Sequence, residues 1–184
     1  MSPSVGQQIV ISGVGGQGVL FVTRLLAEAA IGRGLSVLTS ETHGMAQRGG
    51  SVVSHLKVGA FSSPLIRSGC ADGLLGLKAE SLALHGHFIH TDGWRVVNSA
   101  GTPDGVDPVD ADAVAARIGS PRAVNLVVLG FALARLGDGA SAGNGLFCNR
   151  DDIARVLENR LAECPELLVA SRRALDAGIA VGAG

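Results

Sequence analysis

Short apolar runs alternate with amphipathic stretches along the first sixty residues of the chain. Residues 8–12 (QIVIS) form an apolar run bounded by glycine, a pattern typical of a buried strand. From Gly18 onward the apolar positions recur at helical spacing, and the Gly-Arg-Gly segment at 32–34 predicts where that helix ends. A second strand is predicted over residues 35–39 (LSVLT). This order of strand, helix and strand predicts a Rossmann-like βαβ unit, whose two strands run parallel.

Further strands and helices are predicted in the same way for the remainder of the chain. The predicted strands cover residues 51–58, 72–77, 88–89 and 96–97, with a turn at Thr91-Asp92-Gly93 between the last two. The predicted helices cover residues 78–84, 110–118, 125–136, a segment that begins at Asn149, and a last segment that begins at Pro165. We therefore expect an α/β fold: a single three-layer α/β/α domain over residues 1–184, with a largely parallel central sheet that also admits antiparallel strands.

Two of the predicted helices have unusual faces. The helix over residues 125–136 (NLVVLGFALARL) is apolar on nearly every side, as expected for a helix buried between layers or against a partner. The last helix carries a face of small residues suited to close packing. Both helices are therefore candidates for an interface with another subunit.

Composition narrows the classes of function. The 184 residues are 47% hydrophobic and 17% charged, with a formal net charge of -1, so neither nucleic acid nor an anionic membrane surface is an expected partner. No apolar run has the length needed to span a bilayer. Cys70, Cys148 and Cys164 lie far apart, so this chain by itself is not expected to assemble a zinc or iron–sulfur site, and a reducing cytoplasm fits.

A glycine-rich turn follows the first predicted strand. Its letters GVGGQG place Gly13, Gly15 and Gly18 in the G-x-G-x-x-G pattern, with Gly16 and Gln17 between them. Glycines there permit a tight turn and let a phosphate approach the free amides at the start of a helix. The same glycines are needed when a helix packs closely on a strand without any ligand. Cofactor binding and plain packing therefore both stay open.

A polar stretch after the second strand, SETHGMAQRGGSV at residues 40–52, changes this balance. Together with GVGGQGVLFVTRLLAEAA at 13–30, it closely resembles the gamma subunit or gamma domain of the 2-oxoacid:ferredoxin oxidoreductases. Within that family, ETHGMAQRGG is most similar to the small beta subunit of indolepyruvate ferredoxin oxidoreductase. The resemblance spans nearly the whole chain.

The resemblance implies a subunit of a complex that oxidatively decarboxylates a 2-oxoacid, indolepyruvate or another aryl pyruvate, to acyl-CoA, carbon dioxide and reduced ferredoxin. It implies that thiamine diphosphate, magnesium, the iron–sulfur clusters and CoA are held mainly by a large catalytic partner, with ferredoxin as the electron acceptor. No catalytic residue and no bound cofactor is then assigned to this chain alone. We expect it to be inactive by itself and able to self-associate when isolated.

The polar stretch supplies the remaining residues expected to face a cofactor or the partner: Glu41, His43, Gln47, Arg48, Gly49 and Gly50. They follow a strand, and α/β sheets place their sites at the carboxyl ends of strands. The planar guanidinium of Arg48 suits a carboxylate or a CoA phosphate. The alternative is a salt bridge between Arg48 and Glu41 that only fixes the turn.

Two other patterns bear on function. His85, His87 and His90 offer three imidazoles at close spacing, but histidines that flank a short strand point to different faces, so no metal site is expected there. Glu41 also lies where the ribose-binding acid of a dinucleotide site would stand. A free-standing NAD-binding Rossmann-like domain, or a CoA-binding module, is therefore the alternative function.

Overall fold

The computed structural model describes residues 6–43, 50–137 and 145–184, without the side chains of Thr42 and His43. The strands are β1 (Gln7–Val14), β2 (Val37–His43), β3 (Ser51–Val58), β4 (Ala71–Gly76), β5 (Ile89–Asn98) and β6 (Asp107–Val109). The helices are α1 (Val19–Gly32), α2 (Glu80–His85), α3 (Ala111–Arg117), α4 (Val124–Leu136), α5 (Arg150–Arg160) and α6 (Pro165–Gly182), and a 3-10 turn covers Gly86–Phe88.

The described strands form one sheet in the order β2-β3-β1-β4-β5-β6. Strand β3 is antiparallel to β1 and to β2, whereas the β1–β4, β4–β5 and β5–β6 pairs are parallel. Five of these six strands therefore share one direction, which confirms a largely parallel sheet of mixed type. Strands β1 and β2 run parallel as predicted, but β3 lies between them. Strand β2 extends beyond its predicted end because it pairs with β3 as far as His43.

Strand β5 is one continuous strand, so the prediction of two short strands around a turn is wrong. Strand β4 advances by two residues from Ala71 to Gly73, while its partner β5 advances by five, from Ile89 to Trp94. The turn signal at Thr91-Asp92-Gly93 is therefore absorbed as a bulge inside the strand. Gly73 makes this arrangement possible, because a Cβ atom there would overlap the indole ring of Trp94.

The helices cover the two faces of the sheet unequally. Helices α1 and α4 pack on the face that carries Ile9 and Leu75, while α5 and α6 pack on those two helices from outside. The other face carries a smaller apolar cluster around Val10 and Leu74, against which Leu82 of α2 packs. The three-layer α/β/α prediction is confirmed, with a thick layer on one face and a thin one on the other. None of the described helices combines the length and apolar composition needed to cross a membrane.

Helix starts follow the capping signals of the sequence. The Asp110 side chain accepts a hydrogen bond from the Ala113 N–H at 2.9 Å, which caps α3. At α5, Asn149 and Asp152 form a reciprocal capping box. Helix α6 begins at Pro165, whose missing N–H costs nothing at that position.

Helices α4 and α6 form the closest helix pair of the described chain. Residues 125–133 of α4 are all buried. A Cβ atom on Gly130 would overlap the backbone of α6, and a Cβ atom on Gly178 would overlap the backbone of α4. The prediction that these helices offer faces to another subunit is therefore wrong for α4 and for the small-residue face of α6. The chain itself uses both surfaces, because the glycines let the two backbones touch.

Replacing Gly178 with alanine tests this contact. The new methyl group meets the carbonyl oxygen of Val127, a backbone atom that cannot rotate aside, so we expect Gly178→Ala to lower the free energy of unfolding by about 1–3 kcal/mol. The control is Gly32→Ala at the end of α1, where a Cβ atom has no neighbour within 4 Å and the change is expected to be neutral or to stabilise by up to about 1 kcal/mol. Urea unfolding measures both variants. Equal stability of the two would contradict the close contact.

Candidate functional site

The glycine-rich turn joins β1 to α1 at the carboxyl end of β1. Gly16 and Gly18 adopt left-handed backbone angles, with φ values of 91° and 80°. A Cβ atom on Gly13 would lie 2.9 Å from the Oε1 atom of Gln17 and 3.1 Å from the Cβ atom of Leu77. The turn therefore needs glycine twice for its backbone shape and once for packing. This is the geometry that the plain packing interpretation expects.

The side chain of Gln17 closes the turn from within. Its Oε1 atom accepts a hydrogen bond from the Val14 N–H at 2.9 Å, and its Nε2 atom donates to the Leu77 carbonyl oxygen at 3.4 Å. The Nδ2 atom of Asn98 donates to the same oxygen at 3.2 Å. The Leu77 N–H in turn donates to the carbonyl oxygen of Ser12 at 2.7 Å. Leu77, the residue that follows β4, therefore connects the carboxyl ends of β1, β4 and β5 through its backbone groups.

The glycine turn meets the two residues that flank the second polar stretch, His43 and Gly50, at this end of the sheet. The Gly15 N–H donates to the carbonyl oxygen of Gly50 at 3.0 Å, which joins the glycine turn to the residue before β3. The backbone of His43 also reaches this end, because it pairs with Val52, which pairs with Gly13. The structure thus brings the turn at 13–18, His43 and Gly50 together.

Three of the predicted site residues, Gln47, Arg48 and Gly49, lie outside the described residues. Both interpretations of Arg48, a ligand contact and a salt bridge to Glu41, therefore stay predictions.

Glu41 does not lie beside the glycine turn. It pairs with Ser54 of β3, which pairs with Ile11 of β1, so two strand spacings of about 4.8 Å each separate it from β1. Glu41 is level with Ile11, which precedes Gly13 by two residues along β1. In a dinucleotide site the acid-bearing strand is the direct neighbour of β1. The antiparallel β3 occupies that place here, which disfavours the NAD-binding alternative.

Backbone amides of the turn are mostly engaged within the chain. The N–H groups of Val14, Gly15 and Gln17 donate to Gln17, Gly50 and Val14 respectively. Helix α1 begins without a side-chain cap and without an acidic residue in its first turn, so its N-terminal amides keep their partial positive charge. The backbone amides of the turn therefore have limited capacity to bind a phosphate.

Two buried asparagines support the site and were not singled out by sequence reasoning. Asn98 lies at the carboxyl end of β5, where its Oδ1 atom also accepts from the Ala111 N–H at 3.0 Å. Asn125 lies in the first turn of α4, and a Cβ atom on Gly18 would overlap its Nδ2 atom. The sequence signal that could have identified both residues is an asparagine at the boundary of an apolar run.

A cluster of imidazoles lies on the thinly covered face of the sheet. Ser12 Oγ and His85 Nδ1 share a hydrogen bond of 2.7 Å, and His55 Nδ1 accepts from the Ile66 N–H at 3.0 Å. The ring of Phe88 packs edge-on against His55, with 4.9 Å between the ring centroids. In these contacts the imidazoles hold neighbouring elements together by hydrogen bonds and ring packing.

Burial lowers the pKa of both imidazoles. For His55 the lost hydration is the main cause, and the positive charges of His85 and Lys57 lower its pKa further. For His85 burial again comes first, followed by the charge of His87. Both rings are therefore held in the neutral form more strongly than free histidine.

The three histidines of the 85–90 segment do not converge. His85 bonds to Ser12, His87 packs at a tilt against Phe88, and His90 faces Asp72 with 3.6 Å between Nε2 and Oδ1. Across residues 6–43, 50–137 and 145–184, no group of three or more histidine, cysteine, aspartate or glutamate side chains is arranged to hold a metal ion.

The imidazole cluster predicts acid sensitivity. The unfolded chain binds these protons at the ordinary pKa of 6.5, above the folded values, so stability is fully present above that pH and falls as the pH drops below it. We expect the double variant His55→Asn and His85→Asn to lose less melting temperature than the natural chain between about pH 7.5 and about pH 5.5. The single variants His55→Asn and His85→Asn should each show a loss between that of the natural chain and that of the double variant. An identical loss in the double variant would refute the assignment.

Comparison with known proteins identifies relatives along most of the chain. A sequence model of the family described as "Pyruvate ferredoxin/flavodoxin oxidoreductase" matches residues 8–181. The indolepyruvate oxidoreductase subunit IorB of Archaeoglobus fulgidus is 37% identical over 147 residues, covering 66% of this chain and 73% of that protein. IorB of Thermococcus kodakarensis is 34% identical over 96 residues, covering 52% of this chain and 48% of that protein.

Solved structures share the fold. The gamma subunit of a keto/oxoacid ferredoxin oxidoreductase from Geobacter sulfurreducens superposes with a TM-score of 0.73 at 23% identity, over 96% of this chain and 98% of that one. A 2-oxoglutarate:ferredoxin oxidoreductase from Magnetococcus marinus, solved with 2-oxoglutarate, coenzyme A and succinyl-CoA, gives 0.76 at 22% identity, over 96% of this chain and 31% of that one. The match of the family model and of the IorB relatives confirms the predicted family. The chain belongs to the pyruvate ferredoxin/flavodoxin oxidoreductase family.

Proposed function

We propose that the chain is the small subunit of a thiamine-dependent 2-oxoacid:ferredoxin oxidoreductase, and that the joined polar turns face its catalytic partner. The observation that carries the proposal is the hydrogen bond from the Gly15 N–H to the Gly50 carbonyl oxygen. It holds the glycine turn against Gly50, the residue before β3, at the carboxyl end of the parallel strands, where α/β proteins place their sites. Gly16 at the tip of the turn is exposed, with no atom within 4 Å of a Cβ position, so another backbone has room to approach.

The substrate class that we propose is an aryl pyruvate, with indolepyruvate first. Support comes from the relatives of Archaeoglobus and Thermococcus, both named as indolepyruvate oxidoreductase subunits. The products would be an acyl-CoA, carbon dioxide and reduced ferredoxin. In this proposal the small subunit completes the complex and does no chemistry alone.

Thiamine diphosphate, magnesium, the iron–sulfur clusters and CoA would be held mainly by the partner. The cysteines support this division, because an iron–sulfur cluster is held by several cysteine thiolates. Cys70 and Cys164 are exposed, Cys148 is buried in the core, and the described residues contain no group of side chains that could hold a metal ion. We assign Arg48 to a carboxylate or to a CoA phosphate, as its guanidinium fork suits. A reducing cytoplasm is the compartment that fits these cysteines.

Co-expression with a thiamine-binding large subunit tests the proposal. The two chains should copurify, and indolepyruvate should drive viologen reduction only when both are present, since the small subunit lacks residues for the chemistry. Turnover by the isolated small chain would contradict the proposal. So would failure of the two chains to associate.

A matched pair of variants tests which end of the sheet the partner covers. Gly16 and Gly34 both have positive φ, both are exposed, and neither has an atom within 4 Å of a Cβ position, but they lie at opposite ends of α1. The backbone strain of Gly16→Trp and Gly34→Trp is therefore similar, about 1–3 kcal/mol. We expect Gly16→Trp to weaken assembly by at least about tenfold and Gly34→Trp to leave it unchanged. Circular dichroism checks that both variants fold, and equal effects on assembly would refute the placement.

A further inference from the structure

A cavity of about 470 Å³ opens on the helical side of the molecule, away from the thinly covered face. It lies between the start of α1, the segment at 119–125 and the start of α6. Its walls are mainly apolar, with Phe21, Leu126, Leu161 and Leu167 among them. This volume and this lining are typical of pockets for small organic molecules.

Two polar side chains in the wall are more than nine-tenths buried. Ser171 is 5% exposed and Asn125 is 8% exposed, and both line the cavity. Asn125 accepts from the Leu126 N–H through Oδ1 at 2.9 Å, and no described acceptor takes its Nδ2 group. Both side chains line the cavity, so a polar group of a molecule bound there has a hydroxyl and an amide to pair with.

The one charged side chain among the lining residues of the cavity is a cation. Arg122 lines the rim, and no acidic side chain is among the lining residues. Helix α1 begins at this wall without a cap and without an acidic residue in its first turn, which adds partial positive charge. A bound molecule would therefore meet an apolar surface over most of its area and a cationic group at one side.

We propose that this cavity binds a small apolar carboxylate, aryl or alkyl, whose carboxylate pairs with Arg122. The guanidinium fork matches a carboxylate in two parallel hydrogen bonds. The apolar part of the ligand lies against Phe21 and Leu126, and the Asn125 amide and the Ser171 hydroxyl supply further donors. The site goes beyond the proposed function, because it is built from this chain alone and needs no partner for binding.

Calorimetric titration of the purified 184-residue chain tests the site. The probes are indole-3-acetate as the aryl acid, hexanoate as the alkyl acid, and indole-3-acetamide as a neutral molecule of the same shape as the first. We expect at least one acid to bind, and indole-3-acetate to bind at least about tenfold more tightly than its amide, because a charged hydrogen bond is lost with the amide.

Variants locate the binding. Arg122→Gln should weaken binding of the acid by at least about tenfold and leave the weak binding of the amide unchanged. Ala170→Leu fills the cavity from α6 and should abolish binding of both. Arg173→Gln is the matched control, since Arg173 is an exposed arginine of α6 that does not line the cavity. Thermal melts verify that each variant folds.

Several results would overturn the site. These are no binding of either acid, equal binding of indole-3-acetate and its amide, binding that survives both Arg122→Gln and Ala170→Leu, or CoA binding in place of the acids. Assembly of the unsubstituted chain with the large subunit is measured separately, by copurification. Failure of this site is therefore distinguishable from failure of the proposed function.

Discussion

The carbonyl oxygen of Leu77 is the acceptor on which the arrangement of the sheet end depends. It receives the amide of Gln17 from the turn after β1 and the amide of Asn98 from the end of β5. The buried Leu77 carbonyl and the buried Asn98 amide each cost free energy when left without partners, so they hold one another and the Gln17 side chain in place. The Asn98 side chain then reaches the Ala111 N–H and Asp112, which fixes the start of α3. Three parallel strands and two helix starts share this one network.

This network also explains why the glycine turn does not behave as an open phosphate cradle. The side chain at Gln17 occupies the space between the ends of β1 and β4, and the carbonyl of Gly50 takes the Gly15 N–H. The turn is shaped by the chain before any ligand arrives. A preformed surface of this kind suits docking to another polypeptide, because little conformational entropy is lost on association.

The helical layer divides the apolar surface of the chain between internal packing and a cavity. Gly130 and Gly178 bring α4 and α6 into backbone contact, so the long apolar face of α4 is buried within the chain. The same packing leaves a gap where α6 starts, lined by Leu161, Leu167 and Ser171. Helix α6 contacts α4 closely near its carboxyl end, where Gly178 and Gly182 lie, and leaves the open space near its start.

The sequence by itself determined most of the elements and the family. Periodicity and capping letters predicted the glycine turn, the helix starts at Asp110, Asn149 and Pro165, and a largely parallel sheet, because caps and hydrophobic period act within a few neighbouring residues. The two polar turns likewise carried the family resemblance, since motif letters are local. These features need no knowledge of which strands become neighbours.

Only the tertiary structure decided the order of the strands and what each polar side chain touches. Insertion of the antiparallel β3 between β1 and β2 removed Glu41 from the turn, and pairing with β4 turned the signal at 91–93 into a bulge. The close approach of α6 likewise converted an expected docking helix into core. The physical reason is that strand neighbours, bulges and helix contacts are set by pairing and packing between residues far apart in sequence, which local periodicity does not encode.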